Sequence, residues 1–283
     1  MKRLFFAALV SVLSFAAHAA SAPDTLAKVK AAKSMTIAYA PDSVPFSFKD
    51  PKTGKPVGYS VQLCEEVAEA LRKQLGLVEL DVKWVAGTTP ERLKMVADGK
   101  ADIECGVTTA TLSRQEKVDF SIVTFVQSGG ILARANAGIT RPRDLGGKKI
   151  AVAGGTTTEK WLLEGLGKFA IMAEVVSFKD RTEAFAALEA GKVDAMAGDK
   201  IVLVGMVAKA GDPKRYVLME ENLSVEAYAF ALPRGDPDFR LAVNRALAKI
   251  YRSPDLVTIF DRWFAPFKPT DLLQAFYFIG SME

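Results

Sequence analysis

The chain has 283 residues, with 37 Lys and Arg against 33 Asp and Glu, and 49% of it is apolar. That length permits one or two domains with a sizeable core, and the composition is that of an ordinary globular protein. A formal charge of +4, with no block of like charges, gives no electrostatic footprint for nucleic acid.

Residues 1–22 stand apart. Lys2 and Arg3 precede an apolar run from Leu4 to Ala17, and small residues follow at Ala19, Ala20 and Ala22. This is the tripartite pattern of a secretory signal peptide cleaved near Ala19 to Ala22, and the run is short for a bilayer anchor. Its removal lowers +4 to +2 and takes away His18, the only histidine. A mature chain without histidine excludes Ser-His-Asp and Cys-His catalysis and any His-ligated zinc. No metal and no cofactor are expected. Two cysteines remain, Cys64 and Cys105. Export makes a disulfide between them the favoured reading, with two buried thiols as the alternative.

From residue 34 onward, strands and helices alternate. "MTIAYA" (Met35–Ala40) reads as a buried strand, and "SVQLCEEVAEALRKQLG" as a helix with Val61, Cys64, Val67, Ala68 and Leu71 on one face. "LDVKWV" is a strand. Thr89 as N-cap and Pro90 at the first helical position open the next helix, which Gly99 stops. "ADIECG" and "DFSIVTF" are strands. The grammar restarts at "DLGGKKIAVAGGTTTEKWLLEGLG", with a strand, a Gly154-Gly155 turn and a helix. "EVVSF" follows, then a helix capped by Asp180 and Glu183, then the strand "KVDAMAG". Such alternation predicts a parallel α/β sheet.

Two stretches repeat one another: "MVADGKADIECGVTT" (Met95–Thr109) and "ALEAGKVDAMAGDK" (Ala187–Lys200). Each reads as a helix end, a glycine and a strand. Ligands of open α/β sheets bind beyond the carboxyl ends of strands, so Thr108, Thr109 and Asp199 are expected on a common cleft. The chain then recovers its first unit, with crossings near Ser128–Ala133 and Ser224–Phe230. After "VEAYAFALP" come the amphipathic helix "DFRLAVNRALAKIYRSP" and "DLVTIFDRWF", capped by Ser253-Pro254. The apolar "LLQAFYFIG" is expected to pack against the first unit.

Three sites carry candidate chemistry. "GGTTTE" (Gly154–Glu159) sets free N–H groups and the hydroxyls of Thr156 and Thr157 at a helix start, suited to a small anion, although an ordinary capped helix has the same look. Arg114 offers a guanidinium fork to a carboxylate, although most such arginines form surface ion pairs. Asp199 could cap "KIVLVGMVA", accept an ammonium, or do both.

Taken in order, these features resemble the periplasmic solute-binding proteins of the polar amino-acid ABC transport family, above all its glutamate/aspartate-binding members. The resemblance rests on "SVPFSFKD", "VGYS", "DIECGVTTATLSRQEKVDFS", "GTTTE" and "EAYAF", and spans the mature chain. It implies an α/β, two-lobed periplasmic-binding-protein fold of type II, two lobes joined by two hinge strands. Residues 23–130 plus 227–283 would form lobe 1 and residues 131–226 lobe 2. It implies that Thr109, Arg114 and Thr157 hold a ligand α-carboxylate, with Thr156 beside them. Asp199 and the Val107 carbonyl would take the α-ammonium, and Phe46 would line the site. Thr89 and Arg92 would reach a side-chain carboxylate, with Arg181 as a further polar contact. Ala40 stands where the glutamate/aspartate binders carry an arginine, and Val107 where they carry a serine.

The function so implied is binding one acidic or polar amino acid, glutamate or aspartate favoured, as the periplasmic component of an ABC importer. Its partners would be the ligand and an inner-membrane permease, with no nucleic acid and the protein a monomer. A cationic ligand is not expected, because Arg92 and Arg181 would repel it without a compensating carboxylate. The alternatives are a cyclohexadienyl dehydratase-like enzyme, for which no isolated acidic glutamate is recognisable, and a ligand-presenting sensor.

Overall fold

A computed structural model of the chain describes residues 23–282; the expected signal peptide lies outside the described residues. The first unit runs through α1 (Thr25–Ala32), β1 (Ser34–Tyr39) and a small sheet of β2 (Asp42–Ser43), β3 (Ser47–Lys49) and β4 (Pro56–Val57). It continues with α2 (Tyr59–Gln74), β5 (Asp81–Ala86), α3 (Thr89–Ala97), β6 (Ile103–Cys105) and the short α4 (Leu112–Gln115). The long strand β7 (Val118–Arg134) leads into a second unit of β8 (Lys149–Ala153), α5 (Thr157–Lys168), β9 (Glu174–Phe178) and α6 (Arg181–Glu189). That unit ends with β10 (Ala195–Asp199), α7 (Lys200–Lys209) and β11 (Tyr216–Leu218). Strand β12 (Ser224–Pro233) returns to the first unit, closed by α8 (Pro237–Tyr251), α9 (Asp255–Phe264) and α10 (Asp271–Gly280).

The strands join one sheet in the order β5-β1-β6-β12-β7-β10-β8-β9, with β11 also on β7. The flanks are parallel, as the alternation predicts. The centre is not, because β7 and β12 carry the chain out and back and so pair antiparallel. Strand β7 changes partner part-way along. Val118 through Gly129 pair with β12, and Gly129 through Ala133 pair with β10. The predicted crossings fall on these two strands. The result is a two-lobed α/β fold joined by two hinge strands.

The repeated stretches have the same geometry in both lobes. Helices α3 and α6 end before Gly99 and Gly191, each at φ 69°, a left-handed conformation suited to a helix stop. The aspartate three residues later then clamps the start of the neighbouring parallel strand. Asp102 N–H donates to the Thr36 carbonyl while its carboxylate accepts from Thr36 N–H, both at 2.8 Å. Asp194 does the same with Lys149, at 2.8 and 2.9 Å. Each clamp has a cation beside it, Lys28 on Asp102 and Arg134 on Asp194. The shared Gly-Lys-x-Asp pattern thus fixes strand register twice.

Cys64 of α2 and Cys105 of β6 form a disulfide, so the favoured of the two cysteine readings holds. It ties the helix to the last residue of the strand, immediately before the loop Gly106–Thr109. Helix α10 buries Leu273 and Tyr277, and Tyr277 hydrogen bonds Tyr59 at 2.6 Å, while Phe278 and Ile279 are exposed. No helix of the described residues is long and apolar enough to cross a membrane. At α3 the N-cap is Thr88 rather than Thr89. The Glu91 carboxylate accepts from both the backbone N–H and the hydroxyl of Thr88, which fixes the helix start one residue earlier.

Candidate functional site

The carboxyl ends of β1, β5 and β6 in one lobe face those of β8, β9 and β10 in the other. Close packing joins the two walls: an added Cβ at Gly155 would strike Pro90, and one at Gly205 would lie 2.6 Å from the Val44 carbonyl. Three groups of polar side chains lie between them.

The first group is Arg92 with Glu104. Arg92 Nε donates to Glu104 Oε1 at 2.7 Å, and neither side chain has any exposed area. The guanidinium also donates to the Gly87 carbonyl at 2.7 Å and to the hydroxyls of Thr89 and Thr108 at 3.3 and 3.4 Å. Gly106 makes the space, since a Cβ there would clash with Glu104 Oε1 and lie 2.9 Å from Arg92 Nη2. Glu104 Oε2 is buried without a partner among the described residues.

The second group is centred on Glu226 of β12. Its Oε2 accepts from Thr109 at 2.5 Å and from Thr157 at 3.0 Å, and its Oε1 accepts from Ser224 at 2.6 Å. Thr109 and Thr157 come from opposite lobes and lie 3.3 Å apart. Arg114 donates to the Thr109 carbonyl at 2.8 Å, and no carboxylate among the described residues ion-pairs with it. Burial pushes its pKa down, against the pull of Glu104 and Glu226. Thr156, by contrast, is used locally: its hydroxyl donates to the Ala153 carbonyl and accepts from Glu159 N–H, capping α5.

The third group is Arg181 with Asp199 and Asp42. Arg181 donates to Asp199 at 3.3 Å, and lies 3.9 Å from the Asp42 carboxylate, which also accepts Arg181 N–H at 3.0 Å. Asp199 occupies the N-cap position of α7, yet its side chain does not cap the helix; its other oxygen accepts from Gln127 at 2.8 Å. Burial would lower the Arg181 pKa, but the two carboxylates outweigh it and hold it above its ordinary value. Asp199 is pushed up by burial despite Arg181. Gln127 Oε1 has no hydrogen-bond partner among the described residues, and the Tyr228 hydroxyl lies beside Asp199, whose charge adds to burial in raising the Tyr228 pKa.

Contacts therefore link Thr89 and Arg92, through Thr108, to the stretch holding Thr109, Arg114 and Thr157, and join Arg181 to Asp199, while Val107 is buried beside Thr108. Phe46 is set behind it, fully buried among Tyr59, Phe125, Tyr228 and Phe264. Ala40 is fully buried, and the Ser47 hydroxyl bonds both its N–H and its carbonyl. The expectation that Arg92 and Arg181 lack compensating carboxylates is overturned. Glu104 answers the first, and Asp42 and Asp199 answer the second. Nor is the cleft without glutamates, since Glu104 and Glu226 both stand in it. Glu104, Glu226 and Gln127 carry no local signal in the sequence beyond being polar groups in largely apolar strands, where an uncompensated buried group is costly.

Paired strand ends from two lobes, meeting around opposite charges, define a two-lobed binding protein of the class that takes a small solute between its lobes. Residues 35–266 match the bacterial extracellular solute-binding proteins, family 3. The chain belongs to that family. It is 35% identical over 267 residues to an L-glutamate/L-aspartate-binding protein of Pseudomonas aeruginosa, covering 94% of this chain and 88% of that one. It is 31% identical over 266 residues to the glutamate/aspartate import solute-binding protein of Escherichia coli, again 94% and 88%. Among solved structures, an ancestral amino acid-binding protein described as a precursor of cyclohexadienyl dehydratase is 28% identical, with a TM-score of 0.73, covering 85% of this chain and all of that one.

Proposed function

We propose that the protein binds one amino acid between its lobes, glutamate or aspartate favoured, and delivers it as the periplasmic component of an ABC importer. The observation that carries this reading is a pair of opposite poles between the two lobes. Arg114, the start of α5, and the hydroxyls of Thr109 and Thr157 make the carboxylate pole, and Asp199 makes the ammonium pole. Charge-assisted hydrogen bonds of this kind are stronger than neutral ones and suit both ends of a zwitterion. The glutamate/aspartate-binding relatives support the acidic choice.

The lobes are assigned as residues 23–130 plus 227–283 and residues 131–226, supported by the partner change of β7 at Gly129. The partner is the importer's inner-membrane permease, and the protein acts as a monomer. Binding rather than catalysis is favoured because both cleft glutamates are engaged, Glu104 by Arg92 and Glu226 by three hydroxyls. A general acid needs reach to a substrate instead. Calorimetric titration of the purified protein with glutamate, aspartate, glutamine and arginine tests the reading. Saturable one-to-one binding, tightest for glutamate or aspartate, supports it. Heat-silent titrations throughout, or turnover of a prephenate-like acid, contradict it.

A further inference from the structure

The carboxylate of Glu226 lies on the two hydroxyls from which the proposed carboxylate pole is built. Each threonine hydroxyl has one proton to donate, and an ionised carboxylate can only accept. Both protons, from Thr109 and from Thr157, are directed at Glu226 Oε2. A ligand carboxylate arriving there finds its donors engaged and a like charge beside it, which is unfavourable in a buried setting. Glu226 has no exposed area, so water does not screen that repulsion. Its other oxygen has a holder of its own, since Ser224 donates to Oε1 at 2.6 Å.

We propose that Glu226 is an internal competitor for the carboxylate pole, and that an amino acid binds by displacing it from Thr109 and Thr157. This rests on the reading of the cleft as an amino-acid site. The residue then sets affinity without being a favourable ligand contact. The competition acts on the ligand's α-carboxylate and not on its side chain.

The test is calorimetric titration of wild type, Glu226→Gln and Glu226→Ala with L-glutamate, L-glutamine and the α-amide of L-glutamate. A hydrogen bond to a charged group contributes enough that releasing the hydroxyls should tighten binding of the free acids by about tenfold or more. The α-amide, lacking the competing carboxylate, should show no comparable gain. Two results overturn the inference. One is affinity unchanged or weaker in both variants while circular dichroism and cooperative melting show them folded. The other is an α-amide that gains as much as the acids. If Glu226→Ala does not fold, the isosteric Glu226→Gln decides. Wild type that binds neither amino acid removes the amino-acid reading itself and this inference with it, a failure distinct from wild type that binds while the variants bind no tighter.

Discussion

Arg92 and Glu104 form an ion pair 2.7 Å long with no exposed area on either side chain, built into the wall of the cleft. Arg92 is therefore already neutralised where the site would otherwise be positive. Removing one member of such a pair leaves an uncompensated buried charge, which costs about 3–5 kcal/mol. Glu104→Gln should destabilise the fold in that range by urea unfolding, and the double replacement Arg92→Met with Glu104→Leu should recover much of the loss. A single variant as stable as wild type would show that the pair is not what holds this wall. Gly106→Ala should cost about 1–3 kcal/mol by pushing the same two side chains apart.

The two remaining arginines should behave differently from one another. Arg114 makes one hydrogen bond to a backbone carbonyl and is partly exposed, so Arg114→Ala should abolish amino-acid binding with little loss of stability. Arg181 serves two buried carboxylates, and Arg181→Ala should destabilise the protein by about 3–5 kcal/mol and alter the ranking of ligands. Melting curves and titrations of both variants separate the cases; equal melting temperatures would contradict the assignment.

The disulfide encloses a long loop, with its cysteines 41 residues apart in sequence. The loop-closure argument puts its contribution at about 2–4 kcal/mol. Reduction should lower the melting temperature and, because Cys105 adjoins the loop Gly106–Thr109, should also weaken ligand binding. Equal stability of oxidised and reduced protein would remove this role.

Burial raises the pKa of Asp199, so the folded protein binds that proton more tightly than the unfolded chain. The stabilising contribution of its protonation is complete below the unfolded value, about 3.9, and is lost as pH rises through the raised folded value. Ammonium binding needs the ionised form and runs the other way. Affinity should fall on acidification from a pH above the ordinary aspartate range, and Asp199→Asn should bind weakly with that dependence gone. A dissociation constant flat down to the ordinary aspartate range would contradict the role.

Much of this architecture is legible from local signals. Helix stops at Gly99 and Gly191, alternation of strands and helices, and two crossings in the right places give two lobes and a cleft. Thr109, Thr157 and Asp199 are legible because they follow strand ends. What the sequence hides is pairing across distance. Glu226 meets Thr109 117 residues away in sequence, and Arg181 meets Asp42 139 residues away. No spacing rule announces such partners. The charge balance of the cleft, and with it the argument against cationic ligands, depends on them. Thr156 and Thr157 illustrate the converse: neighbours of one type, of which one caps a helix and the other turns into the cleft.

The most direct test of an amino-acid site between the lobes is thermal unfolding of protein refolded free of ligand, against a panel of amino acids and dicarboxylates. A ligand at about 100 times its dissociation constant adds about 2.7 kcal/mol to the stability of the folded state. An amino-acid site of this kind should give that shift with glutamate or aspartate and a smaller one, or none, with arginine. A panel in which no amino acid raises the melting temperature would contradict it.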